Sequence, residues 1–563
     1  MGAIHRRSFR RFLRPGLTRR GFLRGLGSMV MLPLLPACER VVYVEVPVPS
    51  SPGPGVLPPS AARFDHGVAS GDPLTDRVVL WTRLSTEAAA PVQVDWLISR
   101  STDLATPVRS GSSVTSRERD HTVKIDPDGL QSYTTYYFQF SVTLADGTRV
   151  ASPIGRTKTA PKAGDTDRLR FIGVSCQNYI YGFFNPYRAI AIKPDFDAIL
   201  FLGDYIYEQG GTAFVPGRDH LPDGEIITLA DYRTRFAQYR TDEDLQAAHR
   251  QFPFICIWDD HETANNSWVG GSDRHDPATD GDWEVRKAAA IRAYFEWMPV
   301  RDGNSTAYDS PDGQGYLATG NGSIVRSLRY GELADIILLD TRLVGRAEPT
   351  DTVTVTPEHT LLGEGQRDWL LQQLRSSTAQ WKFVAQQVQF APFKLVPLTE
   401  DQGGTYFLQD SWDGYRFDRN LVMRTLRDEA IHNVVFLSGD SHSVTAWDLP
   451  IEPHDAASYD RLTGEGSLAV EFSTGAVANL GTLNDGVQAI NPHLKYANNS
   501  NGYLVLDVTA ERVQGEYWFT VSPQVHQRAE TFQRGFVNAD GSNRLRPTLT
   551  NTAGRADAAS LAP

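Results

Sequence analysis

The chain has 563 residues, with 55 Lys and Arg against 67 Asp and Glu, for a formal net charge of −12. Such an acidic balance excludes nucleic-acid binding through the overall field, so an anionic ligand has to be met by local cations. Cys38, Cys176 and Cys256 are the only cysteines and make no disulfide framework, and a chain this long exceeds one ordinary core, so two domains are expected.

Residues 1–37 carry eight arginines and no acidic residue, and Thr18-Arg19-Arg20-Gly21-Phe22-Leu23-Arg24 leads into an apolar run over 25–36. This is the pattern of a twin-arginine export signal, which implies the twin-arginine machinery as a partner and a periplasmic or extracellular destination. The run is too short and too rich in Gly and Pro to span a bilayer. Without those eight arginines the remainder carries −20. Leu35-Pro36-Ala37-Cys38 resembles the lipobox of bacterial lipoproteins, and two readings stand: a lipid anchor on Cys38, or release by cleavage near Ala37. Residues 38–62 form an extended spacer, with six prolines and Glu45 as the one charge between 41 and 62.

Residues 63–162 show short alternating runs without helical periodicity, at 77–84, 92–99, 121–125, 135–142 and 149–157. Turn pairs Asp128-Gly129 and Asp146-Gly147 separate some of them. The expected unit is a small β-sandwich of the immunoglobulin or fibronectin III kind, closed by a linker at 161–165.

From 167 to 563 buried strands alternate with amphipathic helices, an α+β to α/β texture. Strands are expected at 169–174, 198–202, 254–258, 334–340, 383–387, 433–438, 467–473, 503–508 and 516–520. Helices are expected at 229–249, 283–297, 366–376 and 419–429. Apolar strands with helices between them predict a mixed sheet covered on both faces, with its site where strands end. Cys256, inside an apolar run, is read as core.

Four strand ends carry residues able to bind metal: Ser175-Cys176-Gln177, Gly203-Asp204-Tyr205-Ile206-Tyr207, Asp259-Asp260-His261-Glu262 with Asn265-Asn266, and Gly439-Asp440-Ser441-His442. Each has a bland alternative. Cys176 alone reads as a small buried hydrophobe, Asp259 and Asp260 as a helix cap, and Asp440 and His442 as a turn and a surface imidazole. Their joint placement after apolar runs favours a shared site. A phenolate ligand needs a strong Lewis acid, so Tyr207 beside Asp204 points to iron rather than zinc or magnesium. Neither Ser438 nor Ser441 has the Gly-x-Ser-x-Gly setting of a hydrolase elbow.

With Phe64-Asp65-His66-Gly67-Val68-Ala69-Ser70-Gly71-Asp72-Pro73, Leu80-Trp81-Thr82-Arg83, Leu339-Asp340-Thr341-Arg342 and Trp381-Lys382-Phe383, these segments make the chain similar to the alkaline phosphatase D (PhoD-like) family of metallophosphoesterases. The resemblance covers nearly the whole chain. It implies a metallophosphoesterase-like sheet core flanked by helices, holding one Fe3+ and Ca2+ ions. Cys176, Asp204 and Tyr207 would be iron-side ligands, with Asp204 as the bridge. Asp259, Asp260, His261, Asn265, Asp440 and His442 would serve the other ions and the phosphate. Asp204, Asp260, His261 and His442 are carried over as catalytic, and Arg342, a candidate phosphate clamp, and Tyr205 as substrate-binding.

The implied activity is an exported alkaline phosphatase, hydrolysing small phosphate esters by in-line attack of metal-bound hydroxide. A phosphodiesterase of the phospholipase D type is the alternative enzyme, and a retired phosphatase acting as a surface binding protein is the alternative outside enzymes. No nucleic-acid-binding module is read.

Overall fold

The segments Ala198–Leu202 and Pro253–Ile257 are buried at every position, which a strand satisfies only when both its faces are covered. In the computed structural model they pair in parallel, with Leu200 opposite Ile255, and Arg168–Gln177 lies parallel on the other side of Ala198–Leu202. The structure describes residues 61–301, 324–350, 354–394, 408–483 and 486–563. The expected export signal, the lipobox at Cys38 and all but the end of the expected spacer lie outside the described residues.

These three strands are the middle of an eleven-stranded sheet, in which the short strand Ala476–Ala478 pairs with Arg168–Gln177 off the main order. On one side it continues antiparallel through Gly502–Thr509, Arg512–Thr520, Glu530–Ala539 and Arg546–Thr548. On the other come Val68–Gly71, parallel to Pro253–Ile257, then Val79–Arg83 and Thr122–Ile125. A second, seven-stranded sheet is built from Arg326–Tyr330, Ala334–Leu338, Trp381–Ala385, Val434–Ser438, Ala469–Ser473, Val444–Leu449 and Leu494–Asn498.

One mixed sheet was expected, and two are present, stacked face to face. Ile336, Phe383 and Val435 join the core between the sheets, while their neighbours Ile337, Val384 and Phe436 face a second core with Leu370 and Leu426 of helices Gly363–Ser376 and Arg416–Asp428. Phe171 of the first sheet meets Tyr330 and Phe383 of the second, with ring centroids 5.0 and 6.4 Å apart. An apolar run shows that a strand is buried on both sides, but not which strands are its neighbours.

Helix Trp283–Trp297 forms over the expected span, whereas the single helix expected at 229–249 is two, Leu229–Tyr239 and Glu243–Gln251. The break is at Asp242, whose extended backbone and carboxylate, accepting from the N–H groups of Asp244 and Leu245, cap the second helix.

The N-terminal segment adds a five-stranded sheet containing Val92–Ser99, Pro107–Thr115, Thr135–Thr143, Arg149–Ala151 and Gly155–Lys158. Its Val94, Ile98, Phe138 and Phe140 pack against Val68, Leu80 and Val123, and Ala62 at the end of the expected spacer joins this core. The strands expected at 77–84 and 121–125 therefore belong to the edge of the large sheet, so its hydrogen bonding crosses the boundary expected near 162–167. The chain end closes the same junction. Tyr137 donates to the carbonyl of Ser560, and Arg555 binds Asp197. No helix among the described residues is long and apolar enough to cross a membrane.

Candidate metal centre

Because Arg168–Gln177, Ala198–Leu202 and Pro253–Ile257 run parallel, their C-terminal ends emerge side by side, and Val434–Ser438 of the second sheet delivers Asp440 and His442 to the same place. The chain turns sharply as it arrives. Cys176, Asp204, Asp440 and His442 all have left-handed backbones, with φ of 57°, 62°, 57° and 58°. Side-chain-bearing residues rarely adopt that region, and such strain persists only where surrounding structure holds it. Gly203, at φ 105°, is required for a further reason: a Cβ there would lie 2.4 Å from Cβ of Asp259, so the two loops could not touch.

Three sets of donor atoms result: Cys176, Asp204 and His442; Asp204, Asp260 and His261; Asp259, Asp260 and Asp440. Within each set the donor atoms lie within 4.8 Å of one another. Asp204 belongs to the first two and Asp260 to the last two, the placement required of bridging carboxylates. Tyr207 sits at the first set, its Oη 3.0 Å from Oδ2 of Asp204 and 3.3 Å from Nε2 of His442. The resemblance grouped His442 with the other ions, and geometry puts it beside Cys176.

The residues fit cations. Buried oxygens Oδ1 of Asp204 and Oδ2 of Asp259 have no hydrogen-bond partner among the described residues. Burial, reinforced by neighbouring carboxylates, pushes Asp204, Asp259, the Cys176 thiol and the Tyr207 phenol well above their usual ranges. Burial raises Asp440 to about 7 and lowers His442 to about 4. Against burial, Asp260, Glu208 and Asp204 raise His261, and Arg342 and His261 hold Asp260 below the usual carboxylate range. Asp204, Asp259, Cys176 and Tyr207 are hard to ionise by themselves, and bound cations would ionise them.

Several supporting residues carry no role in the sequence reading. Glu208, fully buried, accepts at Oε2 from Nδ1 of His261 (2.6 Å) and at Oε1 from the N–H of Asn265. Glu262 accepts from the N–H groups of Asp204, Tyr205 and Asp259, and burial raises it to about 8. Asn479 reaches both Tyr207 Oη (2.9 Å) and His442 Nε2 (3.0 Å). Glu208 directly follows one of the motifs already noted and Glu262 ends another. Asn479 and Asp410 stand in none and are found only in three dimensions. Asn265 meets the site through its backbone bond to Glu208.

Two expectations are corrected. Tyr205 is not on the substrate side. Its ring is buried against Phe201 and Phe236 and its hydroxyl is 2.9 Å from Nε2 of His249. Arg342, expected as a phosphate clamp, has its guanidinium nitrogens engaged by carboxylates. It is fully buried, with Nε, Nη1 and Nη2 bound to Asp259, Asp410 and Asp440. A second cation, Arg346, also reaches Asp410.

Comparison with known proteins agrees with this geometry. The family model described as PhoD-like phosphatase matches residues 171–517, and that of its N-terminal domain matches 51–161. The chain is 34% identical over 520 residues to alkaline phosphatase D of Bacillus subtilis (strain 168), covering 89% of this chain and 84% of that protein. A solved structure of PhoD superposes with a TM-score of 0.76 at 31% identity, over 88% of this chain and 93% of that one. A purple acid phosphatase from yellow lupin seeds, 12% identical, matches with a TM-score of 0.51 over 83% and 74% of the two chains and shows the fold alone. The chain belongs to the PhoD-like phosphatase family and is a phosphatase, a hydrolase of the metallophosphoesterase fold.

Proposed function

We propose that this phosphatase is an exported enzyme that releases phosphate from small esters with one ferric ion and calcium ions. The observation that carries the reading is the nesting of the three donor sets through Asp204 and Asp260. A thiol, a phenol and an imidazole around Asp204 suit iron, while the oxygen-only set of Asp259, Asp260 and Asp440 suits calcium. Ions held there would activate water, grip the phosphoryl group and neutralise charge on the leaving oxygen.

The protein's own groups prepare that chemistry. Glu208 fixes the ring of His261 through Nδ1, which leaves Nε2 as the nitrogen available to the cluster. Asn479 orients Tyr207 and His442 together, and Glu262 ties the loops of Asp204 and Asp259 through their backbones. Arg342 compensates the charge of Asp259, Asp410 and Asp440. The export signal read in residues 1–37 supports an extracytoplasmic site of action.

Metal analysis with visible absorption of protein exported through its own signal tests the reading. A ferric phenolate is coloured, so Tyr207→Phe should bleach the absorption and abolish most hydrolysis. An iron-free protein, or an unchanged spectrum in the variant, would remove Tyr207 from the ligands. Comparing a monoester with a bis-ester chromogenic substrate separates this activity from a phosphodiesterase of the phospholipase D type.

A further inference from the structure

Beside the metal centre lies a cavity of about 190 Å³, lined in part by Tyr181, Asn479, Leu480, Asn501, Thr520 and Gln524. Asn479 joins the two places, because it lines the cavity and its side-chain amide contacts Tyr207 and His442. Among the described residues that line the cavity, none is charged. Oγ1 of Thr520 is buried there without a hydrogen-bond partner among the described residues, a polar atom left for a ligand or water. At the wall, Tyr181 stacks on Phe214, with centroids 4.8 Å and planes 29° apart, and Phe214 is 57% exposed.

We propose that this cavity is the leaving-group subsite and that it takes a flat, uncharged, hydrogen-bonding ring, as in the nucleoside part of a nucleoside monophosphate. The proposal rests on the hydrolytic reading of the metal centre. Water would add its oxygen to phosphorus and the ester P–O bond would break, so the nucleoside leaves as its alcohol and the phosphate as its hydrogen anion. The neutral walls formed by the described lining residues match a neutral leaving group better than a choline-type ammonium, which calls for a carboxylate. The amides of Asn501 and Gln524 and the hydroxyl of Thr520 are the group types that meet base edges, and an aromatic wall continues into a stacked base. The volume is below the 300–1,000 Å³ typical of pockets for drug-sized ligands, which suits a single ring system rather than an acyl chain.

The test compares kcat/KM for adenosine 5′-monophosphate and glycerol 1-phosphate in the metal-loaded wild type and Tyr181→Ala. Tyr181→Ala should lower the nucleotide value by about tenfold, the scale of one lost stack, and lower that of the glycerol ester, which has no ring to stack, much less. Adenosine should inhibit glycerol phosphate hydrolysis competitively in the wild type and much more weakly in Tyr181→Ala. Equal losses on both esters, a loss confined to the glycerol ester, or no inhibition by adenosine would overturn the proposal. If the wild type hydrolyses neither ester, the hydrolytic reading fails on its own. Equilibrium dialysis of adenosine against wild type and Tyr181→Ala then still decides whether the cavity binds a nucleoside.

Discussion

Oε2 of Glu208 lies 2.6 Å from Nδ1 of His261, so the residue next to Tyr207, on the loop that carries Asp204, sets the ring of a histidine on another loop. A carboxylate in that position fixes the tautomer and raises the basicity of the distal nitrogen. Glu208→Gln keeps the shape and removes the charge. The expected outcome is a 10–100-fold loss in activity or metal affinity, on the scale of ~10–100-fold for such partners. Metal content and kcat measured together check it, and wild-type values for both would deny Glu208 this role.

Calcium removal is expected to separate the two kinds of ion. The oxygen set of Asp259, Asp260 and Asp440 should yield its ions to a calcium-selective chelator, while the set with Cys176, Asp204, His442 and Tyr207 should keep its iron. Activity should fall and return on adding calcium, with the visible absorption retained throughout. Full activity in chelator would exclude calcium from the site.

Arg342→Met should be costly even where the side chain fits. It leaves Asp259 and Asp440 without the buried cation that compensates them, while Asp410 keeps Arg346, and breaking such a buried pair costs about 3–5 kcal/mol. A fall in thermal midpoint partly recovered by added calcium is expected, since calcium would supply the missing charge. Indifference of the midpoint to calcium in the variant would count against the compensation argument.

Asp197 gives a pH-dependent case away from the metal centre. Its carboxylate binds Lys158 and Arg555, joining the five-stranded sheet and the chain end to the large sheet, and against burial these two cations lower its pKa below 3.8. A depressed carboxylate contributes stability that is present above the unfolded value and lost as pH falls through the folded one. Asp197→Asn should therefore lower the thermal midpoint fully at neutral pH, and the gap from wild type should narrow only below about 3.8. A gap that narrows already between pH 8 and 6 would assign the effect to another group.

A single methyl tests the approach of the loops. Gly203→Ala would place Cβ 2.4 Å from Cβ of Asp259 at a φ of 105°, so both strain and overlap oppose it. Loss of bound metal is expected together with a lower midpoint, read by metal analysis and calorimetry. Unchanged metal content would show that the loops can part without harm to the site.

Much of this was already legible along the chain. Runs such as Ala198–Leu202 are apolar at every residue, and Asp204, Asp260, His261 and Asp440 follow such runs, so local pattern marked both strands and the loops of the candidate donors. Tyr205 shows the limit. It shares a motif with Asp204 and Tyr207, yet its ring turns to Phe201 and Phe236, because proximity in sequence does not set the direction of a side chain in a loop.

The buried central strands, the loops that carry the candidate ligands and the family follow from the order of residues, since short-range pattern and residue chemistry determine them. Tertiary structure decided that two sheets stack instead of one, that the N-terminal strands Val68–Gly71, Val79–Arg83 and Thr122–Ile125 extend the large sheet, and that Arg342 braces acids from three distant segments. Those outcomes depend on which surfaces meet after burial, and hydrophobic pairing carries no address that a linear pattern can spell.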